Sequence, residues 1–257
     1  MFQMPKHSVF KLSKEEAQLA KHYGIRYNGR HSFEDEGLLL LNERSISIPD
    51  KKKVLVPIPF SNEKYDFSTV YGGQLYEQRT LTYQIKIKNT IYGTKEAMNM
   101  AKTSAINWLM GTTGLAPLYD DAIPDFYFLA EVQGDSAFEE DWAHGVLKIT
   151  FTAYPFMISE KAEGSDIWDE FNFELDAFQD IAFDVKGSLD ILLVNTGISL
   201  ARPEITSTSN MTLTMRNQQF SIIPGSRVYD FFTLEKENEI RIKGNGRISF
   251  KWFKELI

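Results

Sequence analysis

From Arg79 to Lys88 apolar and polar side chains alternate without a break. Leu81, Tyr83, Ile85 and Ile87 take the odd positions, and Thr80, Thr82, Gln84, Lys86 and Lys88 the even ones. In an extended strand successive side chains point to opposite faces, so this spacing predicts a strand with one buried and one wet face. A few residues on, the period changes. Met98, Ala101, Ala105 and Trp108 fall on one helical stripe over 94–110, Thr94 stands where a cap belongs, and Gly111 follows where a stop glycine belongs. A half-buried strand beside an amphipathic helix predicts a helix packed on a sheet.

The flanking chain reads mostly as strand. Ser13-Lys14-Glu15-Glu16 has the form of a capping box and predicts a short helix over about 14–23, stopped by Gly24. An extended piece at 25–27 then meets Asn28-Gly29, a pair suited to a tight type I′ hairpin turn. Ile46 and Ile48, then Val54, Val56 and Ile58, alternate with other residues, while Pro49, Pro57 and Pro59 restrict these pieces to edges or short strands. Further strands are expected over 126–133 and 145–154, with an acidic loop over 134–141 between them. The polar run 159–166 reads as a domain boundary. Beyond it, strand-like runs recur at 171–175, 181–185, 189–195, 204–206, 211–215, 220–223, 228–234, 239–242 and 247–253, the pattern of a β-sandwich. The expectation is a mainly β protein with some α: an α+β domain over 1–158, including a helical extension over 1–23, and a β-sandwich over 159–257.

Composition narrows the function. The 257 residues suit two cores, and 43% hydrophobic with 25% charged residues is ordinary for a folded chain in water. The apolar runs are far too short for a spanning helix, and the N-terminal segment lacks the apolar core of a signal peptide, so neither membrane insertion nor export is expected. With no cysteine there is no disulfide, thiolate ligand or thiol nucleophile, which suits synthesis in a reducing cytoplasm. A net charge of −7 argues against binding nucleic acid, whether through the phosphate backbone or by sequence.

No catalytic constellation emerges. His7, His22, His31 and His144 stand apart without metal-ligand spacing and read as surface or loop residues, so no metal site is expected. Tyr71-Gly72-Gly73 lacks the Lys-Ser/Thr and helix of a phosphate loop. The carboxylates over 166–184 alternate as on a strand and read as a solvated face rather than a calcium loop or glycosidase pair. Catalytic, cofactor-binding and metal-binding residues are therefore expected to be none, and the chain is expected not to be an enzyme. A second reading is a carbohydrate-binding module at 160–257, with Trp168 or Trp252 stacking on sugar.

One ordered series remains. Tyr27-Asn28-Gly29 is followed by Ser32 and Gly37-Leu38, a Pro-bearing segment, Asp66-Phe67-Ser68, and Tyr76 with Arg79 leading into the long strand. Later come Tyr154-Pro155-Phe156, then Val194-Asn195-Thr196-Gly197 and Arg202-Pro203-Glu204-Ile205. In order, spacing and total length this series resembles the siphophage distal tail protein family. The resemblance implies a hexameric ring at the distal end of a non-contractile tail. That ring would join the tail tube to the tail-associated lysin or tail-tip protein and to receptor-binding or baseplate proteins. It also implies a ring-forming N-terminal domain and an outward-facing, galectin-like C-terminal sandwich. The chain departs from the family in its first 23 residues and at Val56-Pro57-Ile58-Pro59-Phe60, where relatives usually have Pro-Gly.

Overall fold

The computed structural model describes residues 23–70, 72–88, 94–133, 136–140, 144–164 and 179–257. The expected helix over 14–23, the strand at 171–175 and Trp168 lie outside them or nearly so. The described strands run β1 (Ile25–Tyr27), β2 (Arg30–His31), β3 (Leu39–Ile46), β4 (Leu55–Pro57), β5 (Lys64–Asp66) and β6 (Arg79–Lys88). Helix α1 (Lys95–Met110) precedes β7 (Ala116–Asp120), β8 (Phe126–Val132), β9 (Ala137–Glu140) and β10 (His144–Ser159). Then follow β11 (Ala182–Val194), β12 (Glu204–Ser207), β13 (Met211–Met215), β14 (Gln218–Ile222), β15 (Gly225–Val228), β16 (Glu237–Lys251) and β17 (Glu255–Leu256). The protein is mainly β with some α.

The first sheet has nine strands in the order β2-β1-β7-β8-β10-β6-β3, with β9 and β17 also paired to β10. The alternating strand β6 is its spine. Leu81, Tyr83, Ile85 and Ile87 are buried on one face and pair in register with Phe151, Ile149, Leu147 and Gly145 of β10. Helix α1 covers that face with Met98, Ala105, Trp108 and Leu109. Thr94 caps its start, its hydroxyl accepting the Ala97 amide at 3.2 Å. Each large apolar side chain buried this way contributes about 1.5–3 kcal/mol.

The region read as an acidic loop contains β9, which pairs with β10 from Gly145 to Lys148. One aromatic explains this: Phe138 packs against the core, with the Lys102 ammonium 4.7 Å from its ring centre.

The second sheet has six strands, β14-β13-β16-β12-β15 with β11 on the other side of β16. Four of the expected strands turn out to be two. Runs 181–185 and 189–195 join as β11, runs 239–242 and 247–253 join as β16, and the two pair over their whole lengths. The supposed breaks are glycines inside the strands: Gly187 pairs with Gly244, and Gly246 with Val185. The inward alternation of β16, Ile240, Ile242, Gly244, Gly246, Ile248, Phe250, passes straight through them. Gly244 and Gly246 have φ of 149° and 135°, and a Cβ at Gly246 would lie 2.5 Å from the Thr208 hydroxyl. The missing side chains let the β12–β13 connection cross the inner face while the sheet curls around its core. Phe232 ties the two ends of that core together, 5.3 Å from Phe220 on β14 and 6.3 Å from Phe250 on β16. Residues 228–234, expected as a strand, pair only at Val228 in β15 and through a bridge from Leu234 to Ala201.

Candidate functional site

The motifs of the ordered series hold the scaffold together. Asn28 and Gly29 both have positive φ, 48° and 73°, as a type I′ turn requires. The turn docks on the end of α1, where the Trp108 indole N–H donates to the Tyr27 carbonyl at 2.8 Å and the Asn28 amide to the Trp108 carbonyl at 3.4 Å. The buried Ser32 hydroxyl accepts the Ile25 amide at 3.1 Å. His31, expected at the surface, is buried instead. The amides of Phe33 and Glu34 both point at its Nδ1, so Nε2 carries the proton and donates to Asp121 at 2.9 Å. This histidine fixes a turn and has no open face for a substrate.

Tyr76 and Arg79 meet Tyr154-Pro155-Phe156 in space. The register of β10 against β8 slips between Ala153 and Met157, where Pro155 cannot donate to a ladder. Arg79 stabilises the irregularity: its Nη1 donates to the Pro155 carbonyl at 3.2 Å and its Nε to the Ser47 carbonyl at 2.9 Å, with the guanidinium 5.2 Å from the Phe128 ring centre. Tyr76 and Tyr154 contact the Phe156 ring edge-on, at 5.3 and 5.6 Å.

Beyond Phe156 an open cleft separates the two sheets, lined by Val54, Leu75, Ile198, Leu200, Val228 and Phe253 among others. Its floor is tied down by Asn195, whose side chain donates to the Ser199 carbonyl at 2.8 Å and accepts the Gly197 amide at 3.0 Å. Beside it the Lys254 ammonium lies 3.9 Å from Glu163, both side chains only 4% exposed. Burial raises the Glu163 pKa against the pull of Lys254 and Thr196, and burial lowers that of Lys254. Both shifts favour the neutral forms, so desolvation outweighs attraction in this pair. Tyr154 donates to Glu255 at 3.2 Å, and its pKa is pushed up to about 12, by burial first and then by the Glu255 charge.

The most exposed apolar element is the β4–β5 hairpin, which pairs only with itself. Leu55, Val56, Phe60, Tyr65 and Phe67 all face solvent. Its base is locked by Asp66-Phe67-Ser68: Asp66 accepts the Ser68 amide at 2.9 Å and the Lys53 ammonium at 2.8 Å, and the Ser68 hydroxyl accepts the Val54 amide at 2.9 Å. The Lys53 hydrogen bond, followed by those from Ser68, holds the Asp66 carboxyl well below the usual range. The first sheet also has unpaired edges among the described residues, β3 and β9 among them. The order β3-β6-β10-β9 leaves β3 free on one side and β9 on the other.

Among the described residues no group of three or more His, Asp or Glu could hold a metal ion, and no helix is long and apolar enough to cross a membrane. His7 and His22 lie outside these residues. Trp252, one of the two tryptophans that could stack on sugar in the second reading, is buried in the second core at 2% exposure, and its indole N–H finds no partner among the described residues. A ring sealed in a core presents no face to a saccharide.

Comparison with known proteins gives one sharp result. No family model matches the sequence, and no curated protein matches it. Among solved structures, the chain superposes on the Dit protein of phage SPP1 with a TM-score of 0.65, covering 92% of this chain and 100% of that one. The chain has the fold of SPP1 Dit. That protein is described as a paradigm of the hub adsorption apparatus in phages infecting Gram-positive bacteria, and the two sequences are 11% identical. The mainly β fold of a distal tail protein, expected from the resemblance, is the fold the chain adopts. At this identity what the two share is architecture.

Proposed function

We propose that the chain is a structural hub subunit of a phage tail tip, working by contact and not by catalysis. The observation that carries this is the SPP1 Dit fold over almost the whole chain, joined to an apolar hairpin that is exposed among the described residues. In this reading six copies form a ring at the distal end of the tail. The tail tube lies above it, and tail-tip, lysin and receptor-binding or baseplate proteins lie below. Residues 1–158 form the ring domain, and residues 159–257 an outward-facing, galectin-like domain.

A closed ring needs two different surfaces on each copy, one to give and one to receive. The β3 and β9 edges meet that need, since unpaired N–H and C=O rows on opposite sides of one sheet can join from copy to copy. The β4–β5 hairpin adds apolar area.

The test is size and shape. Light scattering coupled to chromatography is expected to give a hexamer, or a concentration-dependent monomer–hexamer equilibrium, and electron microscopy to show rings. Monomers at every concentration, with no rings in tail particles, would sink the proposal.

A further inference from the structure

The C-terminal end of the chain crosses from one sheet to the other. β16 leaves the second sheet at Lys251, and after three residues β17 joins the first sheet at Glu255. There Glu255 pairs with Ile158 and Leu256 with Met157 of β10. Beside this short ladder the Ser159 amide donates to the Lys254 carbonyl at 3.0 Å, and the Tyr154 hydroxyl donates to the Glu255 carboxylate. Glu255 also holds the opposite side, its carbonyl accepting the Ile198 amide at 2.8 Å on the floor of the cleft. Among the described residues, the hydrogen bonds that join the first sheet to residues 179–257 all run to residues 254–256. Elsewhere contact is by packing, as where Leu200 lies against Gly72 and Gly73.

This tie is separable from the folding of either half. The two cores share no residue, so each sheet buries its own apolar face without help from the crossing. The hold itself is slight. β17 contributes two ladder pairs, and in the neighbouring Glu163–Lys254 pair burial outweighs attraction. Gly197 gives the segment its room, since a Cβ there would lie 3.0 Å from the Glu255 amide nitrogen and 3.1 Å from its carbonyl oxygen. Phe253, Glu255 and Leu256 line the cleft, so a shift of this segment changes the shape of the cleft. We propose that residues 253–257 are a releasable strap. Docked on β10, the strap fixes the angle between the two sheets and with it the width of the cleft. Lifted, it lets the second sheet swing about the covalent connection that follows Ser159, a hinge motion of one packed body against another. In the ring reading the strap sets how the outward-facing domain stands, but it acts within one chain and does not depend on the ring.

The chain has no cysteine, so two introduced ones carry spin labels without background. Lys148→Cys on β10 and Ser221→Cys on β14 sit at exposed positions in different sheets. Labelled full-length chains diluted in unlabelled wild type report distances within one chain by double electron–electron resonance. The otherwise wild-type chain is expected to give one narrow distance distribution. Gly197→Ala, which crowds the strap without altering it, and deletion of residues 255–257 are each expected to widen the distribution at least about twofold, with the circular dichroism of wild type. Gly187→Ala strains β11 away from the strap and should leave the distribution narrow. Narrow distributions in both strap variants would overturn the proposal, as would a parent chain already as broad as the deletion. Equal widening by Gly187→Ala and Gly197→Ala would mean general loosening and refute the strap. A truncated chain that loses its circular dichroism would make residues 255–257 part of a folding core and refute it as well. Each of these results leaves the ring reading to its own test of size and shape.

Discussion

Asp120, at the end of β7, has its side chain sealed from water, with the Arg44 guanidinium at 2.7 Å and the Tyr83 hydroxyl at 3.2 Å. The two contacts differ in what their loss leaves behind. Asp120→Ala strips a half-buried guanidinium and a buried phenol of their acceptor, which is expected to cost about 3 kcal/mol. Tyr83→Phe leaves the carboxylate its arginine and is expected to cost about 1–2 kcal/mol. Urea unfolding measures both, and equal losses would mean that Arg44 contributes little. Tyr154 offers a test by pH. Its raised pKa means the folded chain holds the phenolic proton more tightly than the unfolded chain does. That stabilisation is fully present below the ordinary tyrosine pKa of about 10 and is lost as pH rises through about 12. Melting temperatures should therefore fall more steeply above about pH 10 in wild type than in Tyr154→Phe; parallel curves would discount the group. At this scale the sequence was least legible. His31 and Trp252 are residue types found both inside and outside proteins, and only tertiary packing, against Asp121 for His31 and within the second core for Trp252, decides that both are buried.

Elements were more legible, and where the reading failed the reason is local. The strand Arg79–Lys88, helix α1 with its cap and stop, the Asn28-Gly29 turn and the strand Met211–Met215 all follow from period and punctuation. Gly187, Gly244 and Gly246 misled because glycine marks both a turn between strands and a bend within one, and the same alternation continues on either side. The bend makes a graded prediction. Gly187 has φ of 81° and open space around a Cβ, so Gly187→Ala should cost only backbone strain, about 1 kcal/mol. Gly246→Ala adds a collision with Thr208 and Ser209 and should cost clearly more, about 2–3 kcal/mol. Thermal unfolding of the two variants separates them, and equal losses would mean the connection over the bend yields freely. The connector between the sheets makes the opposite kind of prediction. Since burial moves both Glu163 and Lys254 toward neutrality, Glu163→Gln/Lys254→Met should be as stable as wild type or more so, while either single change is destabilising. A double variant weaker than both singles would show that the pair is net favourable.

At the scale of the whole molecule, linear reading has one blind spot: β17 closes the chain by pairing with β10 of the first sheet, through Met157 and Ile158. Two residues carry no period, so nothing in their pattern announces the return. Charge distribution, by contrast, is legible without any structure. With residues 50–66, the hairpin and its base, at +1 and the remainder at −8, attraction between copies in the proposed ring should speed encounter more than it holds the finished assembly. Lys51→Glu/Lys52→Glu takes this segment from +1 to −3, a change of four charges, and leaves the apolar tip intact. Both lysines are exposed, Lys52 facing Glu77 at 3.6 Å across solvent, so the fold should lose little. The variant is expected to associate more slowly than wild type at low salt, with a nearly unchanged monomer melting temperature. Salt should then erase the difference, because at about 1 M the screening length falls to about 3 Å and surface charges no longer steer. Association rates from light scattering at low and high salt read this directly. A gap that persists at high salt would assign the lysines to short-range contact, and no gap at any salt would remove charge from the account of how copies meet.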